Sequence, residues 1–113
     1  MDELVKNELL GDLYAYYGQL LTKGQQSYFE DYYYDDLSLG EIAANHNVSR
    51  QAVYDNLRRC RKLLTNYEAK LHMHKDYNEI EQKLVAIADA VAQDQHEEAL
   101  IKIKQLLGKM RGE

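Results

Sequence analysis

Apolar positions in the first part of the chain recur every three or four residues. Val5, Leu9, Leu13, Tyr16, Tyr17, Leu20 and Leu21 keep that spacing, with Asp2, Glu3, Lys6 and Glu8 on other faces, which predicts a first helix over residues 2–20. Thr22 and Gln25 stand in the i, i+3 relation of a capping box. The threonine oxygen takes a free first-turn amide and the glutamine reaches back to the N–H of the cap. A second helix follows over residues 25–34, where Tyr28, Phe29, Tyr32 and Tyr33 form one aromatic stripe suited to core packing. Asp35 and Asp36 break the pattern, and Ser38 with Glu41 opens a short helix that turns Leu39, Ile42 and Ala43 inward.

His46, Asn47 and Val48 interrupt that helix. Asn47 tolerates the left-handed conformation of a tight turn, Val48 offers an apolar plug for the corner, and Ser49 caps the next helix. From Val53 the residues Leu57, Cys60, Leu64, Tyr67, Leu71 and His74 advance by alternating steps of four and three, a heptad-like seam on one long helix. The register slips after His74 and is resumed by Ile80, Leu84, Ile87 and Val91, which predicts a break near Lys75, Asp76 and Tyr77. Asp94 to Glu97 reads as a further N-terminal cap, and a last helix carries Leu100, Ile103, Leu107 and Met110 to its end at Gly112. The expected fold is therefore all-α. A helical domain over 1–72 contains a helix-turn-helix at 38–62, and a C-terminal hairpin over 73–113 packs on it.

Composition agrees with helix. There is no Pro among 113 residues and one Phe, while straight-chain residues that lose little rotamer freedom in a helix abound. A lone cysteine, Cys60, forms no internal disulfide, and neither a signal-peptide pattern nor an apolar run of roughly 20 residues is found, so a cytoplasmic protein without membrane insertion is expected. Net charge is −5, yet its distribution is uneven. Residues 49–62 hold Arg50, Arg58, Arg59, Arg61 and Lys62 against Asp55, a net +4 that leaves −9 for the rest of the chain.

The segment from Ser38 to Arg59 carries the candidate function. Two helices crossing steeply through a three-residue turn must touch closely, which calls for small Ala43, a turn residue such as Asn47, and the apolar Val48 and Val53. On a helical wheel, Val53, Leu57, Cys60 and Leu64 share one side, and Gln51, Tyr54, Asp55, Arg58 and Lys62 face away. In a DNA reader of this type, Arg50, Gln51 and Tyr54 would reach base edges, while Arg58, Arg59, Arg61 and Lys62 would grip phosphates. The opposing reading is a module for protein contacts whose cations are solvated or paired with the acids Glu30, Asp31, Asp35, Asp36 and Glu41.

Leu21-Thr-Lys-Gly-Gln-Gln, Tyr32-Tyr-Tyr-Asp-Asp-Leu-Ser-Leu-Gly-Glu-Ile-Ala and Val48-Ser-Arg-Gln-Ala-Val-Tyr-Asp resemble the YlxM family of small bacterial proteins over nearly the whole chain. The same region is more distantly similar to the promoter-binding helix-turn-helix of sigma factors, region 4. The resemblance implies a non-enzymatic regulator or accessory of the signal recognition particle pathway, encoded beside that particle's GTPase and touching the GTPase, its RNA or both. It carries the helix-turn-helix contact positions over to Ser49, Arg50, Gln51, Tyr54 and Arg58, with Gly24 and Asn47 as departures. A DNA-binding transcription regulator is the alternative that uses the same helices.

Other residues yield less. His72 and His74 point roughly 200° apart on a helix and cannot share a metal, and Cys60 on the apolar seam suits the core better than a nucleophile's place. Neither catalytic constellation nor cofactor motif is expected. The long seam and the aromatic stretch leave apolar surface that makes a homodimer an expectation.

Overall fold

Three of the helix starts are set by hydroxyl caps. The computed structural model describes residues 8–113, and the expected helical positions Asp2, Glu3, Val5 and Lys6 lie outside the described residues. The elements are α1 (Glu8–Tyr17), a 3-10 turn (Gly18–Leu20), α2 (Lys23–Tyr33), α3 (Leu39–His46), α4 (Arg50–Leu71), α5 (Met73–Ala92) and α6 (His96–Met110), with no strand among the described residues. The architecture is all-α, as the periodicity requires. Thr22 with Gln25 and Ser38 with Glu41 each form both bonds of a capping box, and Ser49 Oγ accepts from the Ala52 amide. The helices fall into two units, one extending to His74 and the other from Lys75 to Glu113.

In the first unit α4 is the spine. Its middle supplies Cys60 and Leu64 to a core with Leu10, Leu13 and Tyr17 of α1, Leu21, and Phe29 of α2. Its N-terminal half supplies Val53 and Leu57 to a second cluster with Ile42 and Ala43 of α3, flanked by Tyr28 and Tyr32. The aromatic stripe on α2 is thus divided. Phe29 is fully buried between the rings of Tyr14 and Tyr33, both stacked at 4.3 Å, while Tyr28 lies on His46 at 4.4 Å.

The first helix departs from its expected outline. Its buried positions are Leu10, Leu13 and Tyr17, while Leu9 and Leu20 are exposed. After Tyr17 the chain tightens into the 3-10 turn. There the Tyr14 ring passes so close to Gly18 that a Cβ would meet it at 2.9 Å, and Gln26 Nε2 donates to the Gly18 carbonyl at 2.8 Å. A side chain at this position would have to displace the Tyr14 ring, so glycine is favoured by that approach rather than by its φ.

The long seam ends earlier than its spacing suggests. The break stands at His72, in left-handed conformation at φ 56, and not at Lys75 to Tyr77. Leu71 is exposed accordingly. The cause is a tertiary knot: the buried Tyr17 hydroxyl donates to Glu68 Oε1 at 2.6 Å and accepts from the Met73 amide at 3.1 Å. Glu68 Oε1 also accepts from the His74 amide at 3.0 Å. These groups satisfy first-turn donors of α5 that local sequence leaves open.

In the second unit α5 and α6 run antiparallel, joined by residues 93–95, with Lys109 bonded to Glu79 across the pair. Asp94 does not cap α6. It takes left-handed backbone at φ 58, and Gln95 occupies the cap position without a side-chain bond. Ile87, Ala90, Ala99 and Leu106 are buried. Leu84, Val91, Leu100, Ile103, Leu107 and Met110 are exposed, so most of the expected inward stripe lies open.

Candidate nucleic-acid interface

The corner between α3 and α4 is built from three local choices. Asn47 closes α3 at φ 54 and ψ 49, and its amide bonds back to the Ala43 and Ala44 carbonyls. An L-residue pays for left-handed backbone through Cβ crowding, and asparagine pays least after glycine. Ser49 then restarts the helix, and Ile42, Ala43, Val53 and Leu57 bury the angle. Val48 does not plug the corner. It is 39% exposed, while Ala43 is buried in the cluster that fills the angle.

The N-terminal turn of α4 differs from the expected reader face. Tyr54 is buried, a correction to its outward placement. It lies roughly 90° from the centre of the apolar stripe, and at that flank a large amphipathic ring turns its body inward. Arg50 is exposed but folds back onto α3: its Nε and Nη2 lie 3.1 Å from where a Gly40 Cβ would stand. Gly40 therefore seats the guanidinium, a role that the capping motif around it gave no sign of. Gln51 Nε2 donates to Asp55 Oδ1 at 3.0 Å one turn on, and the Ser49 hydroxyl is engaged as a cap.

Further along, the cations gather. Gln51, Asp55, Arg58, Arg59 and Lys62 are exposed and share a sector of about 100° on α4 at 3.6 residues per turn. Arg61 sits at the flank, half-buried, close enough to Tyr33 to oppose the rise in its phenol pKa that burial causes. Cys60 between them faces inward, fully buried, with its thiol pushed up to about 11 by burial against a smaller opposing pull from Arg59. It belongs to the core and is no nucleophile.

Acids of the 28–41 segment are bound in their own neighbourhood. Glu30 accepts from the Tyr14 hydroxyl at 2.7 Å, Asp31 pairs with His46 at 2.9 Å, and Glu41 completes its capping box. Among the described residues no group of three His, Cys, Asp or Glu could hold a metal ion, and no helix is long and apolar enough to cross a membrane.

A protein-family profile described as "Putative helix-turn-helix protein, YlxM / p13 like" matches residues 4–104. The chain is 48% identical over 106 residues to a UPF0122 protein of Lactiplantibacillus plantarum, covering 93% of this chain and 92% of the other. It is 54% identical over 77 residues to a UPF0122 protein of Latilactobacillus sakei, 68% of each chain. It is also 48% identical over 92 residues to one of Streptococcus gordonii, 81% and 84% of the two chains.

Proposed function

The chain belongs to the YlxM / p13-like helix-turn-helix family, and on that premise we propose that it is a cytoplasmic accessory of the signal recognition particle pathway that grips the particle's RNA through α4. The family is not one of enzymes. The observation that carries the reading is the shared exposed sector of Arg58, Arg59 and Lys62 in the third and fourth turns of α4. Cations in those turns meet phosphate, which positions a partner without reading its bases. The first turn, where a helix-turn-helix protein reads base edges, is occupied otherwise: Arg50 on Gly40, Tyr54 in the core, Gln51 on Asp55. A phosphate-gripping helix fits a structured RNA better than a promoter.

The second reading, a DNA-binding regulator, is favoured by the corner geometry and needs Gln51 to leave Asp55 for a base edge. Fluorescence anisotropy against the particle's RNA, its GTPase and duplex DNA over a salt series separates the two. The expected result is saturable RNA binding that weakens with salt. Replacing Arg58, Arg59 and Lys62 by Ala together should flatten the log–log slope by about 2 to 3, near 0.7–0.9 per phosphate. An unchanged slope overturns the role of these residues. Binding to the GTPase that survives RNase moves the contact to protein, and tight sequence-dependent duplex binding selects the second reading.

A further inference from the structure

In the C-terminal unit α5 and α6 bury only Ile87, Ala90, Ala99 and Leu106, and the Lys109–Glu79 bond marks the seam along which the two helices face each other. Beside that seam, Leu84 and Val91 of α5 and Leu100, Ile103, Leu107 and Met110 of α6 are 39–62% exposed. At about 100° per residue, Leu84 and Val91 lie within ~20° of one another, and the four of α6 within ~80°. In each helix the exposed stripe is rotated from the seam by ~70° in the same sense. Because the helices are antiparallel, that common rotation puts both stripes on the same face of the hairpin.

The six side chains present on the order of 500 Å² of apolar surface, at the upper end of what a monomer exposes in one patch. A stable interface takes roughly 800 Å² from each partner, of which a polar rim supplies the remainder. That rim is present and uneven in charge: Glu81 stands at the outer edge of α5, Lys104 and Arg111 at the outer edge of α6.

We infer that this face is covered by a second copy of the chain, two hairpins closing about a twofold axis into an antiparallel four-helix bundle. With α5 of one copy against α6 of the other, Glu81 comes beside the basic edge of its neighbour on both rims, and the twofold closes the contact at two copies. The homodimer expected from the α4 seam is thereby relocated, since Val53, Leu57, Cys60 and Leu64 are spent inside the first unit. The inference is independent of the nucleic-acid reading, because the face holds none of the α4 cations.

Sedimentation equilibrium of the full chain tests it, with two pairs of equally exposed residues. Leu84 and Leu100 lie on the face at 53% and 51% exposure, while Val85 and Ile101 lie off it at 54% and 53%. The wild-type chain should dimerise at micromolar concentration. Leu84→Glu and Leu100→Glu should each weaken the dimer by about 100-fold or more, a charge left in an apolar interface, with helical circular dichroism unchanged. Val85→Glu and Ile101→Glu should leave it within a few-fold. A chain still monomeric at about 100 μM, the face then being covered within the same chain or by another protein, overturns the inference. So does a dimer that the on-face and off-face variants affect alike.

Discussion

Tyr17→Phe removes one oxygen from the knot that ends α4 and begins α5. The ring stays, so its packing among Leu10, Leu13, Leu21 and Leu64 is preserved and only the hydroxyl's two bonds are lost. The bond to Glu68, at 2.6 Å, joins a hydroxyl to a carboxylate, and such bonds contribute about 1.5–3 kcal/mol. The Met73 amide, bonded in a part-buried place to a residue only 1% exposed, also loses its acceptor, which keeps the cost within that range rather than below it. Glu68 keeps the His74 amide, which limits the penalty of the lost donor. The net cost should be about 2 kcal/mol, read as a lower urea midpoint at unchanged slope, or as a melting point about 10 °C lower. A double-mutant cycle with Glu68→Gln should show coupling of about 1 kcal/mol between the two sites. A loss below about 0.5 kcal/mol together with an additive cycle would refute the view that this pair sets the helix boundary.

Asn47→Gly should leave stability within about 0.5 kcal/mol, while Asn47→Val should cost about 1–2 kcal/mol, because a β-branched residue crowds the left-handed backbone; equilibrium urea unfolding of the two variants checks the difference. Stability should also fall at alkaline pH. Burial, first among the causes, raises Cys60 from 9.0 to about 11 and lifts Tyr14, Tyr17, Tyr33 and Tyr34 above their ordinary 10.0, with Glu30 adding at Tyr14 and Tyr34 and Glu68 at Tyr17. A raised folded-state pKa means that the unfolded chain ionises first. The contribution is therefore whole below about pH 9, begins to drop as Cys60 titrates in the unfolded chain, and drops further above pH 10 as the tyrosines follow. Urea midpoints that stay level from pH 8 to 11 would count against it.

What the sequence made legible were features encoded within four residues. Both capping boxes, the left-handed Asn47 and the Ser49 cap are decided by a side chain and the backbone beside it, so spacing alone located them. The end of α4 escaped because its determinants, Tyr17 and Met73, stand 56 residues apart. Asp94 misled for the opposite reason. An acid ahead of Glu97 reads as a cap, but aspartate also accepts left-handed backbone, and in the α5–α6 turn that second property prevails. At the candidate interface the cations of the third and fourth turns lie where a wheel puts them. Tyr54 and Arg50 do not, since a wheel gives directions from the helix axis and ignores the reach of long side chains across a neighbouring helix.

That α4 threads both clusters of the first unit has a consequence for how this unit comes apart. The helix-turn-helix cannot loosen from Val53 and Leu57 without disturbing the helix whose next two turns hold α1 and α2. Amide exchange in α3 and in the middle of α4 should therefore report one shared opening event, a single foldon, rather than a labile DNA-reader-like corner on a stable base. A ligand clamped on Arg58, Arg59 and Lys62 would then slow exchange as far away as α1, stabilising by mass action residues that it never approaches.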